Sequence, residues 1–192
     1  MSDGLDAGLL EALLDSWDRN NAILVNLLRA VAAAERPTEA GRLEVGLPQA
    51  GRFEVGLPQA GRLAVRAMEG SPSVAELFTH IHYVRLVFVW EDAQEVARKV
   101  PEEEWAGERD PERIAQMLNE SAKAVRDAVE SRVQAGRDMD LHYDHPILLL
   151  QHMIWHEGYH HGQIKLALKM AGRAISDEEA GPVTWGVWMR KK

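Results

Sequence analysis

Between residues 148 and 168 the chain reads LLLQHMIWHEGYHHGQIKLAL. Leu149, His152, His156, His160, Gln163, Ala167 and Met170 step by three or four, so on an α-helix they share one face. Both ends of that stripe are apolar, and its middle is three imidazoles and an amide. Met153, Ile154 and Trp155 crowd one side, so the rest of the helix offers no credible polar exterior there. A helix that turns imidazoles toward a core must give them partners, because each unsatisfied buried polar group costs about 1–3 kcal/mol. A divalent metal is such a partner. Two histidines at i and i+4 can reach one ion, and a third from a facing helix extends its shell.

An upstream segment supplies the third. Leu77, His80, Val84 and Val87 form a seam at the same spacing, interrupted by His80. The expected metal ligands are His80, His156 and His160, with His152 and Gln163 holding a ligand or bound water by hydrogen bonding. Three neutral nitrogens leave coordination positions open for water or substrate, as in catalytic sites. His82 falls two positions off the seam and is expected away from the interior. Glu157 is turned about 100° from the ligand face and is not expected to act as a base. His161 reads as a rim residue, while His142 and His145 read as turn or cap residues. Two other outcomes fit the same pattern: a metal-dependent hydrolase, and a non-catalytic bundle whose histidines form a buried hydrogen-bond network. Imidazole donors suit zinc, nickel, copper and iron, so the ion is open at this stage.

Four amphipathic segments would position these groups. The first runs from about Leu5 to Glu35, with Leu10, Leu13, Trp17, Leu24, Leu28 and Val31 near one stripe. The second opens at a Ser73-x-x-Glu76 capping box and continues to about Lys99. The third opens at Asp110-Pro111, carries Ile114, Leu118, Ser121, Val125 and Val129, and fades near Gly136. The fourth runs from Pro146 to Ala171, with Gly172 as its stop. Four such helices predict an all-α chain folded as a four-helix bundle, one domain over residues 1–192. The tail after Gly172, with Trp185 and Trp188, is expected to pack back on the bundle, because indoles are costly to leave in water.

Between helices one and two lies AGRLEVGLPQAGRFEVGLPQAGRLAV, residues 40–65, a decamer written twice and begun a third time. Leu43, Val45 and Leu47 alternate, as do Phe53, Val55 and Leu57, and Leu63 with Val65 starts the pattern again. Turn residues separate the runs, so a small three-stranded β-meander insertion is expected, with an enlarged irregular loop as the alternative. It contains no histidine, so the chemistry is placed elsewhere.

The formal net charge of −8 argues against nucleic-acid binding, which needs a basic field to displace counterions. No apolar run approaches the roughly 20 residues of a membrane span. The chain has no cysteine, which removes disulfides and thiolate ligands from consideration. The opening MSDGLDAGLL lacks the features of a secretory leader, and a cytoplasmic location is expected.

These residues resemble the DinB/YfiT-like family of small metalloproteins. The resemblance rests on Glu76-Leu77-Phe78-Thr79-His80-Ile81, and on His152, His156-Glu157, His160 and Gly162-Gln163-Ile164. It departs at Tyr159 and His161, neither of which is an inferred ligand. It covers about Leu5 to Ala171 in helix order, excluding the repeat. It implies a bundle of up-down-down-up connectivity, often a homodimer, with nickel or zinc held by three histidines. It also implies transfer of a low-molecular-weight thiol to a small electrophilic substrate, or thiol-dependent isomerisation or hydrolysis. An open three-histidine cation could lower the pKa of such a thiol, a nucleophile this cysteine-free chain cannot supply itself.

Overall fold

The computed structural model describes residues 7–33, 61–96, 100, 102–104 and 107–189. Four long helices make up most of them: α1 Ala7–Ala33, α2 Val74–Asp92, α3 Pro111–Gln134 and α4 Pro146–Met170. Two short helices follow, α5 Asp177–Ala180 and α6 Trp185–Trp188. The described residues are all-α, with one isolated β-bridge between Arg66 and Ser73. None of their helices is long and apolar enough to cross a membrane.

Local chemistry sets the helix ends. Ser73 Oγ accepts from the Glu76 amide at 3.3 Å while Glu76 Oε2 accepts from the Ser73 amide at 2.7 Å, closing the capping box of α2. Such caps stabilise a helix by about 1 kcal/mol. Asp110 caps α3 through the Glu112 amide at 3.0 Å, and His145 caps α4 through the Ile147 amide at 3.2 Å. Gly172, at φ +68°, follows α4 in the left-handed conformation that glycine adopts without penalty.

Helix α2 is shorter than its sequence pattern suggests, ending at Asp92 rather than near Lys99. The reason is Asp92 itself, which is fully buried. Its Oδ1 accepts from the amides of Leu141 and His142 at 2.9 and 2.7 Å, Oδ2 meets His142 Nδ1 at 2.8 Å, and its carbonyl accepts from the Asp140 amide. Continuing the helix would take that carbonyl away from the α3–α4 connection.

The stripes of α1 and α3 bury as expected, apart from a half-exposed Leu13. Those of α2 and α4 are rotated. In α2 the core face is Phe78, Ile81, Arg85 and Val89, while His80, Val84 and Val87 are only partly covered. In α4 it is Leu149, Leu150, Met153, Glu157, Ile164 and Leu168, so the histidine stripe occupies the shoulder. Met170 is exposed, and Trp155 is 70% exposed and stacked on Tyr159 at 6.4 Å. His82 is buried rather than outward, and burial pushes its pKa down to about 4 despite its hydrogen bond with the Met117 backbone.

At the centre of the rotated faces lies a polar layer touching all four helices. Arg85 and Glu157 are both fully buried, with Nε donating to Oε1 at 2.6 Å. Arg85 Nη1 also donates to Asn21 Oδ1 at 2.9 Å and to the Leu118 carbonyl at 2.8 Å, and the guanidinium sits 4.7 Å over the Trp17 ring. Asn20 Nδ2 donates to the second Glu157 oxygen.

The expected meander falls largely outside the described residues. Of its final unit, residues 61–65 are described, and Arg62–Ala64 forms a 3-10 turn, not a strand. Leu63 is turned into the core at 5% exposure, in the cluster with Val31 and Val74, and Val65 and Ala67 pack against the same cluster. The tail does pack back: Arg19 Nη1 donates to the Val187 carbonyl at 2.8 Å, and Asn26 Nδ2 to the Val183 carbonyl at 2.8 Å. Backbone acceptors hold it rather than buried indoles, since Trp185 and Trp188 stay 52% and 44% exposed.

Candidate metal centre

The shoulders of α2 and α4 face each other, and across them His80, His156 and His160 converge. One ring nitrogen from each lies within 4.8 Å of the other two. Ring centroids are 4.4 Å apart for His156 and His160, 4.9 Å for His80 and His160, and 5.5 Å for His80 and His156. The i, i+4 spacing on α4 brings His156 Nε2 to 3.0 Å from His160 Nε2. Nitrogens sharing one ion at bond lengths of about 2.0–2.1 Å stand about 3 Å apart, so that contact has the right span.

Outer partners orient two of the rings. Glu104 Oε1 lies 2.9 Å from His80 Nδ1, and Gln163 Oε1 lies 2.7 Å from His160 Nδ1. Both partners are acceptors, so each Nδ1 carries the proton and each Nε2 keeps its lone pair free. His156 differs, because its Nδ1 is buried with no hydrogen-bond partner. With His160 Nε2 a lone pair, His156 Nε2 must either donate to it or share a cation with it.

Electrostatics favour neutral rings. Burial, reinforced by the neighbouring imidazoles, pushes His156 down to about 4, and burial likewise lowers His160. Both therefore present lone pairs at neutral pH. Imidazole nitrogens of this softness suit a divalent transition-metal ion.

His152 does not join the three. Its Nδ1 pairs with the Tyr143 hydroxyl at 2.6 Å, and its ring lies 6.5 Å from that of His156. Burial, with Asp92 and Glu91 nearby, pushes the Tyr143 hydroxyl well above its ordinary range, so it remains a neutral phenol. Glu157 turns away into the ion pair with Arg85, as its position on the helix implies. His142 pairs with Asp92, and His145 caps α4. Glu104 escapes sequence reasoning, because within Glu102-Glu103-Glu104 no spacing separates a positioning carboxylate from solvated neighbours.

The centre opens onto a pocket of about 500 Å³ lined by His80, His160, Gln163, Glu104 and Tyr159, together with Leu77, Glu76, Arg66, Gly70 and Pro72. The DinB family profile matches residues 57–177, well over half of the chain.

The chain belongs to the DinB family. No curated protein and no solved structure matches it. The DinB match opens at Leu57, inside the repeat, and takes in α2, α3 and α4 with all three histidines. Helix α1 and the α6 end of the tail lie outside it.

Proposed function

We infer that this DinB protein is a metal-dependent enzyme that transfers a low-molecular-weight thiol to a small electrophile. The observation that carries the reading is the set of three imidazole nitrogens within 4.8 Å of one another, two of whose rings, His80 and His160, line an open pocket. His80, His156 and His160 would hold the ion, zinc or nickel. When bound there, such an ion acts as a Lewis acid that lowers the pKa of a thiol or water.

The remaining work falls to the chain. Glu104 and Gln163 keep two rings in the tautomer that donates through Nε2. Leu77 and Tyr159 give the incoming molecule apolar surface beside the centre. The open mouth lets the thiol proton leave to solvent as a C–S bond forms and the bond from that carbon to its leaving group breaks. With no cysteine in the chain, the sulfur must arrive as a co-substrate.

The frame we assign to the site is an up-down-down-up four-helix bundle. It is supported by Arg126–Asp18 and Arg29–Glu112, which pair opposite ends of α1 and α3. Glu76–Arg109 and Arg132–Glu95 support like ends of α2 and α3 lying together. His80–His160 and Phe88–His152 support α2 and α4 running in opposite directions.

A non-catalytic histidine network is the second reading, favoured by the 3.0 Å contact between His156 and His160. The deciding assay mixes nickel- or zinc-loaded protein with a cellular thiol and a chromogenic aryl halide. Metal-dependent product formation, abolished in His160→Ala, is expected. A rate equal to the uncatalysed one for every thiol tried would contradict the transferase reading.

A further inference from the structure

Part of the pocket lining comes from the segment between the repeat and α2, and it presents a cation. Arg66 lines the pocket with its side chain 42% exposed. Its place is fixed by its surroundings. The Val74 amide donates to the Val65 carbonyl at 2.9 Å, and the Ser71 amide to the Met68 carbonyl at 3.2 Å. Gly70, at φ +78°, makes that tight turn without strain. Arg66 Nη1 donates to the Ser71 carbonyl, and Nη2 to Glu76 Oε1 at 2.8 Å. A guanidinium has five N–H donors, so these two bonds leave others for a ligand.

A bound divalent ion would tip the local charge balance toward an anion. Glu76 Oε1 accepts from Arg109 Nη2 at 3.0 Å as well as from Arg66, so two guanidinium groups share one carboxylate. That carboxylate is held well below its ordinary range, at about 2. Burial opposes this, but the Ser73 amide, Arg66 and Arg109 outweigh it. Glu104 is committed to His80. Glu69, Glu102 and Glu103 stand in the bordering segments, but none of them lines the pocket. With Glu104 counted, two guanidinium groups stand against two carboxylates, so a divalent ion on the three imidazoles would turn the pocket net positive, within a chain whose net charge is −8. Glu76 and His80 are four residues apart on α2, about one helical turn, so the carboxylate that holds Arg66 starts from the same side of α2 as a ligand of the centre.

We propose that the pocket takes a thiol carrying a carboxylate a few bonds from its sulfur, and that Arg66 is the residue that selects for the carboxylate. This rests on the thiol-transfer reading and narrows its substrate class. Planar, charge-assisted donation from a guanidinium to a carboxylate supplies the selectivity.

The test is calorimetric titration of the metal-loaded protein with 3-mercaptopropionate and with 2-mercaptoethanol, alike in reach but charged and neutral. The acid is expected to bind about ten-fold tighter. Arg66→Gln is expected to erase that preference while leaving 2-mercaptoethanol affinity unchanged, which also shows that the variant is folded. Arg66→Lys, which keeps the charge but not the fork, is expected to restore part of it. Equal affinities in the parent protein, or a preference that survives Arg66→Gln, would overturn this proposal and leave the thiol reading intact. No binding by either thiol, with the metal still retained, would overturn both.

Discussion

Two adjacent residues on α4, His156 and Glu157, serve two polar regions built on opposite terms. Glu157 enters a sealed layer in which Arg85, Asn20, Asn21 and the Leu118 carbonyl are hydrogen-bonded across four helices, with only Arg85 Nη2 lacking an acceptor while the guanidinium lies over the Trp17 ring. His156 enters a half-open layer in which its Nε2 faces another imidazole nitrogen and a third ring converges from α2. The sealed layer pairs a cation with an anion, whereas the open one gathers imidazole nitrogens around a place that a cation would fill. Burying an ion pair is costly unless both ions gain further hydrogen bonds, and Arg85 and Glu157 gain them. The lesson is that polarity inside this protein has two uses, one fixing how the helices fit together and one binding a ligand.

Breaking the sealed layer should give the largest effect. Glu157→Ala leaves Arg85 charged, buried and short of its main partner, and should lower unfolding free energy in urea by about 3–5 kcal/mol. Substituting both partners, as Arg85→Met with Glu157→Leu, should recover much of that loss. By contrast, His156→Ala in metal-free protein should change stability by less than about 1 kcal/mol, because the ring removed was incompletely satisfied. A loss as large as that of Glu157→Ala would erase the distinction between the layers.

Outer partners sharpen the comparison at a smaller scale. Glu104→Ala and Gln163→Ala should each weaken zinc affinity about 10–100-fold in competition with a chromogenic chelator, with unchanged helical circular dichroism. His152→Ala, whose partner is Tyr143, should have a much weaker effect on affinity. Equal losses from all three would place His152 in the centre after all.

The smallest effect concerns acid. Glu76 has a folded pKa of about 2 against an ordinary 4.5. Its contribution is therefore fully present above about 4.5 and is lost as pH falls toward 2, because the unfolded state takes up the proton first. Glu76→Gln should flatten that part of a stability-against-pH curve while lowering the plateau above it.

How legible all this was follows from what sequence spacing can encode. The three histidines could be read because helical periodicity places i, i+4 and facing residues without knowledge of rotation. The rotation itself could not be read. Taking His80 as part of the α2 seam put His82 outside and left Arg85 without a role, whereas the core accepts Arg85 because Glu157, Asn21 and Leu118 supply partners from three other helices. No single helix carries that information. Trp155 was misjudged for a related reason, since an indole on a helix does not reveal whether a neighbour covers it. The end of α2 at Asp92 depends on backbone amides near residue 141, and the role of Glu104 depends on a loop that folds back to His80. The duplicated decamer, the most conspicuous stretch of sequence, contributes Leu63 to the core through a turn where a strand was expected.

The central claim is that His80, His156 and His160 hold one divalent ion. Elemental analysis of the purified protein, run beside His80→Ala, His156→Ala and His160→Ala, tests it most directly. About one zinc or nickel per chain, largely lost in each variant while the fold persists, is the predicted result. A parent protein that retains no metal after incubation with zinc or nickel, or variants that retain as much as the parent, would contradict it.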